Sequence, residues 1–190
     1  MDRATKNDKE LVVNILLTSF ADNKSVNYLV KQDKKMILRL QILMEYSFDT
    51  CYLFGEILLS DDRKGCALIL MPDRKRTTLK SILLDARLIV FCMGIRNAIK
   101  AMKREKIIKR IHPEGLIYYL WFIGVNPDEQ NKGIGSNLLK DLINEAVFQK
   151  RNICLETSTE KNIPWYKKNG FTIYKELDFG YKLFCMKREY

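Results

Sequence analysis

Nine residues, Ile117 to Val125, read Ile-Tyr-Tyr-Leu-Trp-Phe-Ile-Gly-Val and carry no charge. An aromatic and branched run of this kind marks a strand buried on both faces, at the centre of a sheet, and Asn126-Pro127 ends it. The pattern then alternates. Leu138, Leu139, Leu142, Ile143, Ala146 and Val147 recur at helical spacing within a helix from about Lys132 to Lys150, and a strand follows over Asn152 to Thr157. A short helix over Asn162 to Asn169 and strands near Phe171 to Leu177 and Tyr181 to Met186 complete this half.

The first half begins with a short strand within Met1 to Ala4. A helix capped by Asn7 or Asp8 places Leu11, Val12, Ile15, Leu16 and Phe20 on one face. A second helix after Asp33 carries Met36, Ile37, Leu40, Leu43 and Met44 to about Phe48. Cys51 to Leu59 and Cys66 to Met71 flank the turn-rich Ser60 to Gly65, which predicts an antiparallel hairpin closed by Pro72. With no internal repeat or linker, residues 1–190 are expected to share one core in a mixed α/β domain.

Charge is concentrated in one segment. Between Asp73 and Arg110 there are 12 Lys and Arg against 3 Asp and Glu, whereas the rest of the chain has 21 against 20. Leu79, Ile82, Leu83, Ala86, Ile89, Val90 and Met93 recur there at helical spacing, Gly94 interrupts, and Ile95, Ala98, Ile99 and Met102 continue the stripe. Two amphipathic helices or one kinked helix follow, and charge runs of this sort ordinarily mark a solvated face over a core. The functional alternative is a nucleic-acid or membrane surface.

Other features narrow the chemistry. The uncharged stretch Leu88 to Ile95 is far below the roughly 20 residues of a membrane span. The first ten residues have no signal-peptide pattern, so a cytoplasmic protein without a membrane partner is expected. Cys51, Cys66, Cys92, Cys154 and Cys185 lie in apolar surroundings without close pairs and read as buried thiols. His112 is the only histidine, which excludes a zinc site built on several imidazoles and leaves no metal site expected.

The strongest local signal is Gln130-Asn131-Lys132-Gly133-Ile134-Gly135-Ser136, between a predicted strand and a predicted helix. Glycines allow close approach of a ligand, and the free amides and dipole of a helix start attract phosphate oxygens. A side chain at Gly135 would take the space that phosphates need. The spacing is neither that of a Walker loop nor the three-glycine dinucleotide fingerprint.

Val125-Asn126-Pro127 and Gln130 to Gly135, followed by Leu138-Leu139, resemble the acetyl-CoA signature of the GNAT superfamily of acyl-CoA N-acyltransferases. Leu155 to Ser158, Asn162 to Tyr166 and Gly170-Phe171 are similar to a second block of that family, in the right order. Arg3-Ala4-Thr5 resembles a GNAT start. His112-Pro113 ahead of Tyr118 to Leu120 more loosely resembles the branch that includes puromycin N-acetyltransferase.

The resemblance implies a mostly antiparallel mixed sheet flanked by helices, with helices from about Leu79 to Arg110 inserted before the CoA-binding strand. It implies a strand that splays from its neighbour after Val125. Ile123, Gly124 and Val125 would then bind the pantetheine arm, and the Ile123 amide would polarise the thioester carbonyl. Gln130, Asn131, Lys132, Gly133, Ile134, Gly135 and Ser136 would hold the pyrophosphate. Tyr166 is the implied acid for the departing thiolate, against a purely packing role, and Asn162 is either a pantetheine contact or a helix cap. For the base, Glu156 comes first, with pairing to a surface lysine or pointing away from the cleft as the alternative. His112 is second to it, or a loop residue before Pro113.

The expected activity is transfer of acetyl from acetyl-CoA to a primary amine of a small molecule, by direct attack in a ternary complex. A protein N-terminus or lysine is the alternative acceptor. A non-catalytic acyl-CoA sensor and a nucleic-acid-binding protein are the alternatives outside enzymes, and a homodimer is compatible with all of these. The basic helices are expected to cover the acceptor side of the cleft.

Overall fold

The computed structural model describes residues 1–190. Seven strands form one sheet in the order β1-β2-β3-β4-β5-β7-β6: β1 Asp2–Arg3, β2 Gly55–Leu59, β3 Gly65–Leu70, β4 Ile117–Val125, β5 Asn152–Thr157, β6 Thr172–Asp178 and β7 Lys182–Arg188. Every neighbouring pair is antiparallel except β4 with β5, so the mixed, mostly antiparallel α/β sheet is as expected. β4 and β5 begin and end at the residues read from the sequence.

Two cores cover the sheet. On one face α1 (Lys9–Phe20), α2 (Lys24–Leu29) and α3 (Met36–Phe54) bury Val12, Ile15, Leu16, Leu43 and Phe48. On the other, α6 (Ile134–Phe148) and α7 (Ile163–Lys168) bury Leu138, Leu139, Leu142, Tyr166 and Phe171. The five cysteines are free and buried. No helix is long and apolar enough to cross a membrane.

Three expectations are corrected. Cys51 to Phe54 continues α3 instead of opening β2, because Phe48, Cys51 and Phe54 recur on the buried side of the helix. Gly55 then makes the turn into the sheet; a Cβ there would lie 1.9 Å from the Ile69 carbonyl oxygen, so only glycine fits. The six-residue α2 is too short to announce itself by periodicity, and Asn23 caps it by accepting from the Val26 amide at 3.1 Å.

The third correction concerns the basic segment, which forms α4 (Leu79–Arg87), a π-helical turn (Leu88–Met93) and α5 (Gly94–Ile111). Gly94 has φ of +69°, a left-handed conformation that separates the two helices where the stripe was interrupted. The stripe itself does not lie over a core. Met93 and Ala98 are buried, but Leu79, Ile82, Leu83, Val90, Ile95, Ile99 and Met102 are exposed.

One ion pair fixes the base of β4 and β5. Buried Arg151 makes a two-pronged contact to Asp73 at 2.6 and 2.9 Å and also donates to the Ile117 carbonyl at 3.2 Å. Arg151→Ala is expected to lower unfolding free energy by about 3 kcal/mol in denaturant titration. The Arg151 hydrogen bond holds the Asp73 carboxyl below its ordinary range. The stabilisation is therefore present above the unfolded carboxylate pKa of about 3.9 and lost as pH falls through the lower folded value, so the gap between wild type and variant closes in acid.

Candidate active site

The sheet opens where β4 leaves β5. Their parallel ladder runs only from Ile117 with Asn152 to Tyr119 with Cys154. On the β3 side, Leu68 faces Phe122 and Ile69 faces Leu120, so Trp121 is the extra residue of a bulge. A bulge bends and twists the strand that carries it, and here it follows directly on the last β4–β5 pair. The divergence thus begins after Tyr119, well before the Val125 expected from the sequence.

Beyond the bulge, β4 has a free edge. The Asn126 amide donates to the Lys64 carbonyl on the β3 side at 3.0 Å. Strand alternation sends the Ile123 and Val125 amides the other way, into the gap. Gly124 faces α1, where a Cβ would meet Ser19 Oγ at 3.1 Å, and Ser19 in turn donates to the Val125 carbonyl at 2.9 Å. Close packing of α1 on β4 at this point needs a glycine.

The gap widens into a cleft of about 820 Å³, within the range of small-molecule sites. Ile123, Gly124, Val125, Gln130, Asn131, Gly133, Ile134, Gly135, Ser136, Glu156, Asn162 and Tyr166 all line it. Gln130 donates to the Val125 carbonyl at 3.2 Å and folds the loop against the strand end. Asn131 and Gly133 have φ of +62° and +85°, which turns the chain sharply into α6. Space around Gly133 is open.

Three details add to or depart from the expected loop. Lys132 is not on the cleft wall; its ammonium binds Glu129 at 2.9 Å. Ser136 Oγ accepts from Trp165 Nε1 at 3.0 Å and so ties α6 to α7. A Cβ at Gly135 would meet Val125 Cγ2 at 3.5 Å and Trp165 Cζ2 at 4.0 Å, so a large side chain there would also press against β4 and α7.

Tyr166 is buried among Trp165 and Phe171, with ring centroids 4.7 and 5.6 Å away, yet it borders the cleft. Burial alone raises its phenol pKa, so the hydroxyl stays protonated through the neutral range. Asn162 does not cap α7 with its side chain, which leaves it on the wall.

Glu156 lies on the opposite face from Tyr166. Leu155 packs in the same core as Tyr166, and alternation directs Glu156 the other way. Its side chain is only 4% exposed, accepts from the Tyr119 hydroxyl through Oε2, and holds Oε1 3.8 Å from His112 Nε2. Neither surface-lysine pairing nor a plain loop histidine describes this arrangement. His112 also packs near Tyr119, with the rings tilted by 45° and their centroids 5.6 Å apart. Glu156 Oε1 and His112 Nε2 are buried and have no hydrogen-bond partner within the protein.

Two residues of the site were missed from sequence. Tyr119 lies in the Tyr118 to Leu120 block, but its contact with Glu156 depends on the β4–β5 register, in which Tyr119 faces Cys154. Arg104 of α5 lines the cleft and donates from Nη2 to Ser25 Oγ at 3.0 Å, so the basic segment does reach the site through one residue. No cysteine lines the cleft, and burial pushes the Cys154 and Cys185 thiols to about 12.

Comparison with known proteins agrees with this geometry. Residues 87–173 match the acetyltransferase (GNAT) domain family. A histone acetyltransferase HPA2 and related acetyltransferase from Corynebacterium glutamicum superposes with a TM-score of 0.71 at 19% identity, covering 99% of this chain and 94% of that one. Arylalkylamine N-acetyltransferase 2 from Aedes aegypti gives 0.65 at 17% identity, covering 99% and 97%. The C-terminal condensation domain of Ebony, in complex with beta-alanyl-dopamine, gives 0.72 at 10% identity, covering 100% and 97%. These likenesses show that the chain shares the fold of those proteins, and the segment that matches the acetyltransferase (GNAT) domain contains the open β4 edge and the Gly133 turn.

Proposed function

We propose that the protein transfers acetyl from acetyl-CoA to the primary amine of a small molecule, by direct attack in a ternary complex. The observation that carries this reading is the unpaired β4 edge at Ile123 and Val125, continuous with the Gly133 turn and the start of α6 in one cleft. An extended pantetheine arm can add to a free strand edge, and phosphates suit the free amides of a helix start. The Ile123 amide then donates to the thioester oxygen as negative charge develops there.

Glu156 and Tyr166 approach the gap from opposite faces, which suits opposite proton transfers. The amine loses a proton towards Glu156, the new C–N bond forms, the C–S bond breaks, and Tyr166 supplies a proton to the sulfur. The Tyr119 hydroxyl holds the Glu156 carboxylate in place through Oε2, with His112 Nε2 3.8 Å from Oε1. Ser25 Oγ accepts from Arg104 at 3.0 Å and from the Tyr181 hydroxyl at 3.4 Å, so Ser25 and Arg104 are held as polar groups of the cleft wall on the Glu156 side.

Acetyl-CoA at a hundredfold excess over its Kd should stabilise the protein by about 2.7 kcal/mol, or roughly 5–10 °C in melting temperature. Gly135→Trp should abolish that shift by forcing β4 and α7 apart. Absence of a shift with wild type, together with no free CoA thiol released across a panel of primary amines, would sink the proposal.

A further inference from the structure

The segment that makes the chain basic also exposes its largest apolar side chains. Leu79 and Leu83 on α4, Phe91 in the π turn, and Ile95, Ile99 and Met102 on α5 are each more than half exposed, with Leu79 at 83% and Ile95 at 75%. The turn is fixed in place, since Arg39 of α3 donates to the Phe91 carbonyl at 2.6 Å and the Lys31 amide donates to the Cys92 carbonyl at 3.1 Å. Apolar exposure of this extent on an ordered surface marks an interaction site.

The charges around it are uncompensated. Of the 12 basic residues between Asp73 and Arg110, only Arg87 and Lys109 pair with a carboxylate, on Glu45 and Glu105. All three acids of the segment are occupied: Asp73 by Arg151, Asp85 by the Tyr46 hydroxyl at 2.7 Å, and Glu105 by Lys109. A second copy would bring like charge against like charge. Nucleic acid would neutralise the cations but leave the aliphatic side chains in water, and a neutral bilayer would do the reverse.

We infer that α4, the π turn and α5 dock on an anionic lipid surface, with the helices lying in the headgroup plane. Apolar side chains enter the acyl boundary while Lys80, Arg96, Lys100 and Lys103 meet lipid phosphates. The lack of a helix long and apolar enough to cross a membrane does not bear on helices that lie along its surface. This inference is independent of the acetyl-transfer reading.

Co-sedimentation of the full chain with phosphatidylcholine vesicles, with and without phosphatidylglycerol, tests it. Binding is expected only to the anionic vesicles and should weaken as salt rises. Lys80→Gln with Arg96→Gln should lower the partition coefficient about 25-fold, since each basic residue near the surface contributes roughly fivefold. Leu83→Asp should also weaken binding without changing the melting temperature, because the side chain it replaces is exposed. No binding to anionic vesicles at low salt overturns the inference, as does undiminished binding by the charge variant. A dimer in sedimentation velocity that Leu83→Asp disperses would assign the face to a second copy instead, and RNA binding without vesicle binding would assign it to nucleic acid.

Discussion

Tyr166→Phe is expected to lower kcat by about 10²- to 10⁴-fold while the Michaelis constant for acetyl-CoA stays nearly constant. The substitution removes one hydroxyl and keeps the ring that packs on Trp165 and Phe171, so the core of α6 and α7 is preserved. Because burial raises the pKa of the phenol, wild-type kcat should show no alkaline loss from this group below about pH 10. Single-turnover kinetics would separate chemistry from product release. An unchanged chemical rate in a variant of normal stability would make Tyr166 a packing residue only.

Glu156→Gln should cost about 10²- to 10³-fold in kcat/KM at neutral pH. Glutamine keeps an acceptor for the Tyr119 hydroxyl and nearly the same volume, so the melting temperature should move little. The diagnostic is recovery with pH. An alkylamine of pKa about 10.4 is almost entirely protonated at pH 7, and each unit of added pH supplies about ten times more neutral amine without any base. The variant should therefore gain rate steeply towards pH 10 and approach wild type. A variant that loses stability and shows no such recovery would place Glu156 among the structural groups.

The first half of the chain shows where local patterns fail. Between Leu40 and Phe54 apolar residues are dense enough to fit either a helix or a strand, and only burial of Phe48, Cys51 and Phe54 against the sheet extends α3. The same limitation misplaced the stripe over Leu79 to Met102. Periodicity establishes that a helix has an apolar side, and it is silent on whether anything in the fold covers that side.

The site divides in the same way. Sequence by itself determined β4, β5, the glycine turn into α6 and the position of Tyr166, because each rests on local chemistry: an uncharged branched run, glycines with positive φ, and a helix start with free amides. Only the tertiary structure decided where β4 and β5 part, since the bulge at Trp121 is a matter of register between β3 and β4, residues more than fifty positions apart. The β4–β5 register sets Tyr119 beside Cys154 and within reach of Glu156, the packing of α5 brings Arg104 to the cleft, and alternation along β5 turns Glu156 to the face opposite Leu155 and Tyr166.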